Sequence, residues 1–321
     1  NLLKLAYHTK PDLIFLHVQS SEVLDFETVI KLSAIGFTVL YTFDCRTTEQ
    51  TEWMYNYAKH MGLVCFSNQD DVQECLRRDI KNVMTLQSSC DMDVYCKGEL
   101  VDKVPEIVFI GGNYVGTNLN FPLAQERKDM VEFLEKSYGD YFCAMGNGWN
   151  MGRIIKSDEE IDTYRCAAIA INHNNFNKHL YTSDRLWRIM ATGTFCLTRH
   201  FDGIEKLFNR KVHLDWWHTF DELKEKIDYY LGNGTLREQI AKNGMYEVRY
   251  RHTWTHRVKE MMVQANQLKP KTDLCRDAHR VKGEIPIEEH YHNAVCDCGK
   301  FKYSWEECCG GNWQLKMYQN I

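Results

Sequence analysis

Short apolar runs alternate with amphipathic stretches from near the start of the chain. The runs DLIFLHV (12–18), FTVLYTF (37–43), LVCFSN (63–68) and VMTLQ (83–87) predict strands. Residues 22–34 and 71–78 between them carry helical spacing, and the opening residues also read as a helix. This is the βαβ rhythm of a parallel sheet. At KGELVDKVPE (97–106) it lapses into a charged segment with a proline, which reads as a linker. A second round follows. Strands are expected at 106–111, 141–146, 167–172 and 194–198, and helices at 124–137, 157–166, 183–192, 220–231 and from 235 to about 267. Ser157, three residues before Glu160, and Ser183 stand where helix N-caps stand. After about Lys269 the rhythm stops. The expected fold class is therefore α/β, with two Rossmann-like domains at 1–104 and 105–268 and a linker with a cysteine-rich tail at 269–321.

The composition narrows the setting. The 321 residues are 44% hydrophobic and 26% charged, as in soluble globular proteins, and suffice for two cores and an appendage. A net charge of −5 gives no general attraction to nucleic acid or anionic membrane. No run approaches the roughly 18 apolar residues of a membrane span, and no signal-peptide pattern opens the chain, so a cytoplasmic setting is expected. Of the thirteen cysteines, eight are scattered through the first two-thirds, several inside strand-like runs, and read as small buried thiols. The last four are packed into CDCGKFKYSWEECC.

In open α/β sheets ligands sit beyond the carboxyl ends of the strands. In the second domain those ends read Gly111-Gly112-Asn113, Gly146-Asn147-Gly148-Trp149, Asn172-His173-Asn174-Asn175 and Thr198-Arg199-His200. Glycines let a ligand approach the backbone, and helix N-termini offer N–H groups to phosphate. Ser183 and Arg185 open such a helix, and an arginine can grip phosphate with two parallel hydrogen bonds. The four rims together point to a phosphate-bearing ligand. Each glycine alone is equally a turn.

The block YRCAAIAINHNNFNKHLYTSDRLWRIMATGTFCLTRHFDGIEKLF, followed by TFDELKEKIDYYLGNGTLREQIAKNGMYEVRYRHTWTHRVKEMM, resembles the carboxyl-terminal half of CgeB-like glycosyltransferases, GT-B enzymes related to the group-1 glycosyltransferases. The resemblance covers about 106–262 and continues faintly through PDLIFLHVQ and LYTFDCR. It implies two Rossmann-like domains facing a cleft, with a nucleotide-diphosphate sugar held mainly by the second and closing helices packed back on the first. It also implies no catalytic divalent metal, in keeping with a single DxD, Asp91-Met92-Asp93, that follows a strand of the first domain. Ser183, Arg185, Gly193 and Glu205 match the family pattern, and the donor is expected against Gly111, Gly112, Asn113, Asn172, Ser183 and Arg185. Group-1 relatives often carry a glutamate, thought to hold the donor ribose, where this chain has Arg188. Gly193 also reads as a plain helix stop.

In the first domain Asp44 follows FTVLY at its carboxyl end. Sugar transfer removes a proton from the acceptor hydroxyl, and a carboxylate suits that task. Asp44 is the candidate base of an inverting reaction, with Arg46 as an acceptor or anion contact. The alternative is that Asp44 caps the next helix. His17 and Asn68 would share this rim, or be hydrogen-bonded core residues. In the tail, Cys296, Cys298, Cys308 and Cys309 offer four thiolates suited to tetrahedral structural zinc, with a disulfide as the alternative. This stretch resembles the SEC-C zinc motif, with a spacer one residue longer, and implies docking to a protein or nucleic acid. Acidic and basic residues are equal in number after Gln267, against a purely electrostatic grip. The expected activity is sugar transfer to a hydroxyl of a surface glycan, a protein or a modified DNA base. The rival is a non-catalytic GT-B-like binding protein whose tail recruits a partner.

Overall fold

The computed structural model describes residues 2–18, 21–43, 52–95, 104–118, 121–149 and 157–268, and in the tail 294–296 and 313–315. Residues 1–268 form one compact unit and 269–321 another. Within the first unit two parallel sheets define two lobes.

The first sheet has four strands, β1 (Leu13–Leu16), β2 (Phe37–Thr42), β3 (Leu63–Phe66) and β4 (Val83–Thr85), paired in that order and all parallel. Both faces are used. Ile14, Leu16, Leu40, Val64 and Phe66 face a core with α1 (Leu2–Thr9), α2 (Phe26–Ile35), α3 (Glu52–Ala58) and α4 (Gln69–Arg77). Val39, Tyr41, Leu63 and Cys65 face the other way. Strands covered on two faces read as continuous apolar runs, which is why they were visible in the sequence. Helix α3 was not visible, because its seven residues carry too few turns to show a period. After β4, Met92–Tyr95 forms the short helix α5.

The second sheet has five parallel strands in the order β6-β5-β7-β8-β9. They are β5 (Val104–Ile110), β6 (Phe142–Met145), β7 (Ala167–Asn172), β8 (Phe195–Arg199) and β9 (Asp215–Trp217). Strand β5 takes in the last three residues of the charged stretch, and its register against β7 shifts between Val104 and Ile107, beside Pro105, which has no N–H for a ladder bond. One face buries Leu186, Trp187, Ile189 and Met190 of α8 (Asp184–Ala191), Tyr164 of α7 (Ser157–Cys166) and Val248. The other buries Met130, Val131 and Leu134 of α6 (Ala124–Tyr138) and Leu223, Ile227 and Tyr230 of α10 (Phe220–Gly232). Helix α9 (Ile204–Leu207) is a single turn.

The long helical stretch expected from 235 is two helices, α11 (Gly234–Arg251) and α12 (Trp254–Leu268). They part at Thr253, whose backbone bridges to Cys90, and the Trp254 N–H donates to Cys90 O at 3.3 Å. Beyond this break α12 leaves the second lobe and packs Met261 and Ala265 on the first sheet. In the tail, β10 (Ala294–Cys296) pairs antiparallel with β11 (Trp313–Leu315). Among the described residues no helix is long and apolar enough to cross a membrane, and Cys65, Cys75, Cys90, Cys143, Cys166 and Cys196 are free thiols.

The edge strand β9 is closed by a buried charge. Asp215 is inaccessible to solvent and accepts from Arg210 Nε at 2.8 Å, Lys226 Nζ at 2.9 Å and Tyr230 Oη at 2.9 Å. Burial raises its pKa, but the hydrogen bonds from Arg210, Lys226 and Tyr230 outweigh it and leave the carboxyl below its ordinary value. Removing this charge leaves Lys226 only Glu222, at 3.6 Å, and breaks three buried hydrogen bonds, so Asp215→Asn should lower unfolding free energy by about 1–3 kcal/mol at pH 7, read by urea denaturation. A depressed carboxyl stabilises the fold above its unfolded value of about 3.9 and loses that contribution as pH falls through its folded value. The gap between wild type and variant should therefore shrink as the pH drops below about 4.

Candidate active site

Strand order reverses between β5 and β7. From β5 the chain goes through α6 to β6 on one side, then returns through α7 to β7 on the other. The loops leaving β5 and β7 thus diverge and open a crevice at their carboxyl ends, where ligands bind in such sheets.

One wall is the 111–115 loop, held by the 146–149 loop. Gly111 N donates to Met145 O and Asn113 N to Asn147 O, each at 2.8 Å, and Trp149 Nε1 donates to Gly111 O at 2.5 Å. This close approach requires glycine at 146. Its φ is +129°, and a Cβ there would lie 2.6 Å from Gly111 O. The Asn113 side chain is spent within the wall, accepting from Val115 N at 3.1 Å and donating to Gly148 O at 3.2 Å. The other wall is tied by buried amides. Asn172 Nδ2 donates to Thr198 Oγ1 at 2.9 Å, and Ser183 Oγ donates to Asn172 Oδ1 at 3.4 Å. Asn174 Oδ1 accepts from Ser183 N at 3.1 Å. Ser183 stands at the N-cap of α8, but its hydroxyl makes no cap bond; it serves the strand end instead.

Two arginines cross the crevice floor. Arg185 donates through Nε to Ile110 O, and through Nη1 to His173 O at 3.1 Å and Ser183 Oγ at 3.4 Å. Its Nη2 lies so close to Gly111 that a Cβ there would be 2.7 Å away, and none of its hydrogen bonds uses that nitrogen. Arg127, in the first turn of α6, is 1% exposed and donates to Gly112 O at 3.2 Å and His173 O at 2.6 Å. Both guanidinium groups lie over Phe109, at 5.3 Å for Arg185 and 5.6 Å for Arg127. Among the described residues neither pairs with a carboxylate. Burial first, and the charge of Arg185 second, push the Arg127 guanidinium down from its ordinary value.

Beside them lies a compensated cluster. Glu126 meets Arg199 through two hydrogen bonds and His173 Nε2 at 3.5 Å. Burial raises the Glu126 carboxyl, but His173 and Arg199 hold it at about 2. His173 Nδ1 donates to Asn174 O at 2.8 Å, burial lowers the ring's pKa, and Nε2 supports the Glu126 carboxylate only when the ring is protonated. His173 and Arg199 stood among the strand-end residues read from the sequence, but Glu126 and Arg127 were not singled out there. A charge in the first turn of an amphipathic helix looks like surface, and only the crossing of α6 over the strand ends buries it.

The other expected residues divide. Gly111, Gly112, Asn113, Asn172, Ser183 and Arg185 come together at the crevice. Gly193 lies at the opposite end of α8 from Ser183, where its φ of +76° ends the helix. Glu205 is exposed on α9 and bonded to His200 Nε2 at 2.8 Å. Arg188 pairs with Asp184 at 2.5 Å and Glu160 at 3.3 Å, over the Tyr95 ring. In the first lobe Asn68 is a buried helix cap, accepting from Asp71 N at 2.9 Å. His17 stands at the carboxyl end of β1 facing Tyr41 O at 3.1 Å. Asp44 and Arg46 lie outside the described residues, as do Cys298, Cys308 and Cys309. Among the described residues no group of His, Cys, Asp and Glu is arranged to hold a metal ion.

The lobes meet at the loop from β7 to α8. Gln69 N donates to His179 O at 2.9 Å, Ser88 Oγ to Thr182 O at 3.0 Å, and Gln87 Nε2 to Leu180 O. Leu180 holds φ at +60°, a left-handed conformation costly for leucine. The segment carrying Ser183 and Arg185 is thus clamped to the first lobe.

Residues 126–263 match the family model described as glycosyl transferase-like. No curated protein matches the chain. Among solved structures, HepE of Anabaena in complex with UDP-glucose is 12% identical, with a TM-score of 0.62 over 83% of this chain and 81% of that one. A glycosyltransferase from Rickettsia africae is 11% identical, with a TM-score of 0.55 over 84% of this chain and 80% of that one. TarM is 9% identical, with a TM-score of 0.59 over 82% of this chain and 57% of that one. The fold is GT-B, two parallel Rossmann-like sheets in tandem. The glycosyl transferase-like match thus falls on most of the second lobe and on α12, within a fold that is GT-B.

Proposed function

We propose that the protein transfers a sugar from a nucleotide-diphosphate donor, held in the crevice between β5 and β7, to a hydroxyl of a surface glycan, a protein or a modified DNA base. The observation that carries this reading is the pair of guanidinium groups without carboxylates at the carboxyl ends of those strands, beside the first turn of α8. The field of two cations and the free N–H groups of a helix start favour the same anion. HepE has been solved with UDP and with UDP-glucose, which makes UDP the first nucleotide to test here. Within the class, the block from Tyr164 to Phe208 supports a CgeB-like relationship.

In this reading Ser183, Arg185 and the 111–113 backbone hold the diphosphate while Asn172 fixes the start of α8. Gly193 and Glu205 serve indirectly, one by ending α8 and the other by holding His200. Asp44, next after Phe43, is the proposed base that takes the acceptor proton as the new glycosidic bond forms and the nucleotide leaves. No catalytic divalent metal is invoked. In the tail, Cys296 stands in β10 opposite Trp313, so the ends of the segment carrying Cys298, Cys308 and Cys309 are held together. Four thiolates are the donor set of a structural zinc, which would brace the tail as a docking module.

Three outcomes are expected. Arg185→Ala should weaken UDP binding by about 1.5–3 kcal/mol in calorimetric titration and leave uridine binding nearly unchanged; equal UDP affinities would remove Arg185 from the site. Wild type should release UDP slowly from UDP-glucose or another UDP-sugar, which a pure binding protein would not, and Asp44→Asn should cut transfer roughly a hundredfold or more with UDP affinity retained. Reduced, dialysed protein should carry one zinc per chain by elemental analysis, lost when Cys298 and Cys308 are both changed to serine.

A further inference from the structure

Besides Arg127, two arginines are buried among the described residues, and each lies beside a carboxylate: Arg257 is 3.0 Å from Glu260 and Arg237 is 3.7 Å from Glu238. Arg127 is the exception among side chains at the crevice that are wholly enclosed. Among the described residues its two terminal nitrogens bond only main-chain oxygens, Gly112 O and His173 O, and its Nε is buried without a partner. The neighbouring charge is of the same sign, since Arg185 bonds the same His173 oxygen. Tyr114, Tyr181 and the His173 ring are other titratable groups that interact with it. Burying a guanidinium without a counter-charge is costly, and a second cation beside it adds repulsion. Two neutral amides could satisfy the same carbonyls without that cost. The charge becomes favourable once an anion occupies the crevice above.

We propose that Arg127 is a positioning residue for the donor's diphosphate, resting on the donor site assigned above: it fixes the two rims of the crevice through Gly112 O and His173 O and lends them a second positive charge from below. At 1% exposure it acts through those carbonyls and through its field, not by contact with the ligand. The same oxygen of His173 links it to Arg185, so the two guanidinium groups set one another's position. This predicts a selectivity effect. A residue needed only for folding would alter binding of a nucleoside and its diphosphate alike, whereas a charge beneath the phosphates acts on the diphosphate alone.

The test is calorimetric titration of wild type, Arg127→Met and Arg127→Lys with UDP, inorganic pyrophosphate and uridine, at two salt concentrations. Arg127→Met should bind UDP and pyrophosphate tenfold or more weakly, with uridine affinity unchanged and a shallower salt dependence. Arg127→Lys keeps the charge and loses the fork, so its affinities should fall between the two. Equal loss for uridine and UDP, or no loss in Arg127→Met, overturns the proposal while leaving the donor site standing. Wild type that binds neither UDP nor pyrophosphate overturns both. If Arg127→Met does not fold, Arg127→Lys decides alone: a UDP-to-uridine affinity ratio equal to that of wild type overturns the proposal, and a ratio lowered threefold or more supports it.

Discussion

The carbonyl oxygen of His173 accepts hydrogen bonds from two arginines, and the crevice edge of the second lobe is organised around that contact. Arg127 arrives from α6 and Arg185 from α8, helices on opposite faces of the sheet. Each also bonds the β5 side of the crevice, at Gly112 O and Ile110 O respectively. The reversal of strand order opens a gap here, and the two guanidinium groups span it. Strand-end carbonyls beyond the last ladder bond need donors, and a buried one left unmet costs about 1–3 kcal/mol. Arginine meets this need with rigid forks and concentrates positive charge where an anionic ligand would sit.

A second constraint joins the lobes. The segment Gln87–Cys90 bonds Leu180 O, Thr182 O and His252 O in turn, and Trp187 of α8 donates from Nε1 to Ser88 Oγ at 3.0 Å. Trp187 is fully buried against His252, with Arg257 over its ring. The face of α8 that turns inward is therefore part of the joint between lobes, and its first turn is part of the crevice. One short helix thus couples the site to the seating of the first lobe. The break at Thr253, which sends α12 across to β2 and β3, completes the joint.

Much of this was legible in the chain. The parallel sheets declared themselves because strands buried on two faces are apolar at nearly every position, as in AAIAIN of β7. The glycine-bearing strand ends marked the crevice edge, since glycine at 146 and 148 answers to local backbone geometry that a reader can anticipate. Elements without a period escaped. Strand β9 is three residues long and is secured by Asp215 and its partners, contacts that no local pattern encodes. Arg188, lacking the carboxylate of group-1 relatives at that position, proves to be an ion-pair partner of Asp184 and Glu160, which the sequence alone left open.

The sequence by itself determined the class of fold, the order of its longer elements and the polar strand ends at which the crevice opens. These follow from short-range hydrophobic patterning and from turn residues whose conformational freedom is a local property. Only the tertiary structure decided which polar residues work together. Arg127 and Arg185 are 58 positions apart and meet at one oxygen because α6 and α8 cross the same pair of strand ends. Whether a charge is solvated, paired or buried alone depends on what packs around it. That is a property of the assembled lobes and has no trace in the order of neighbouring residues.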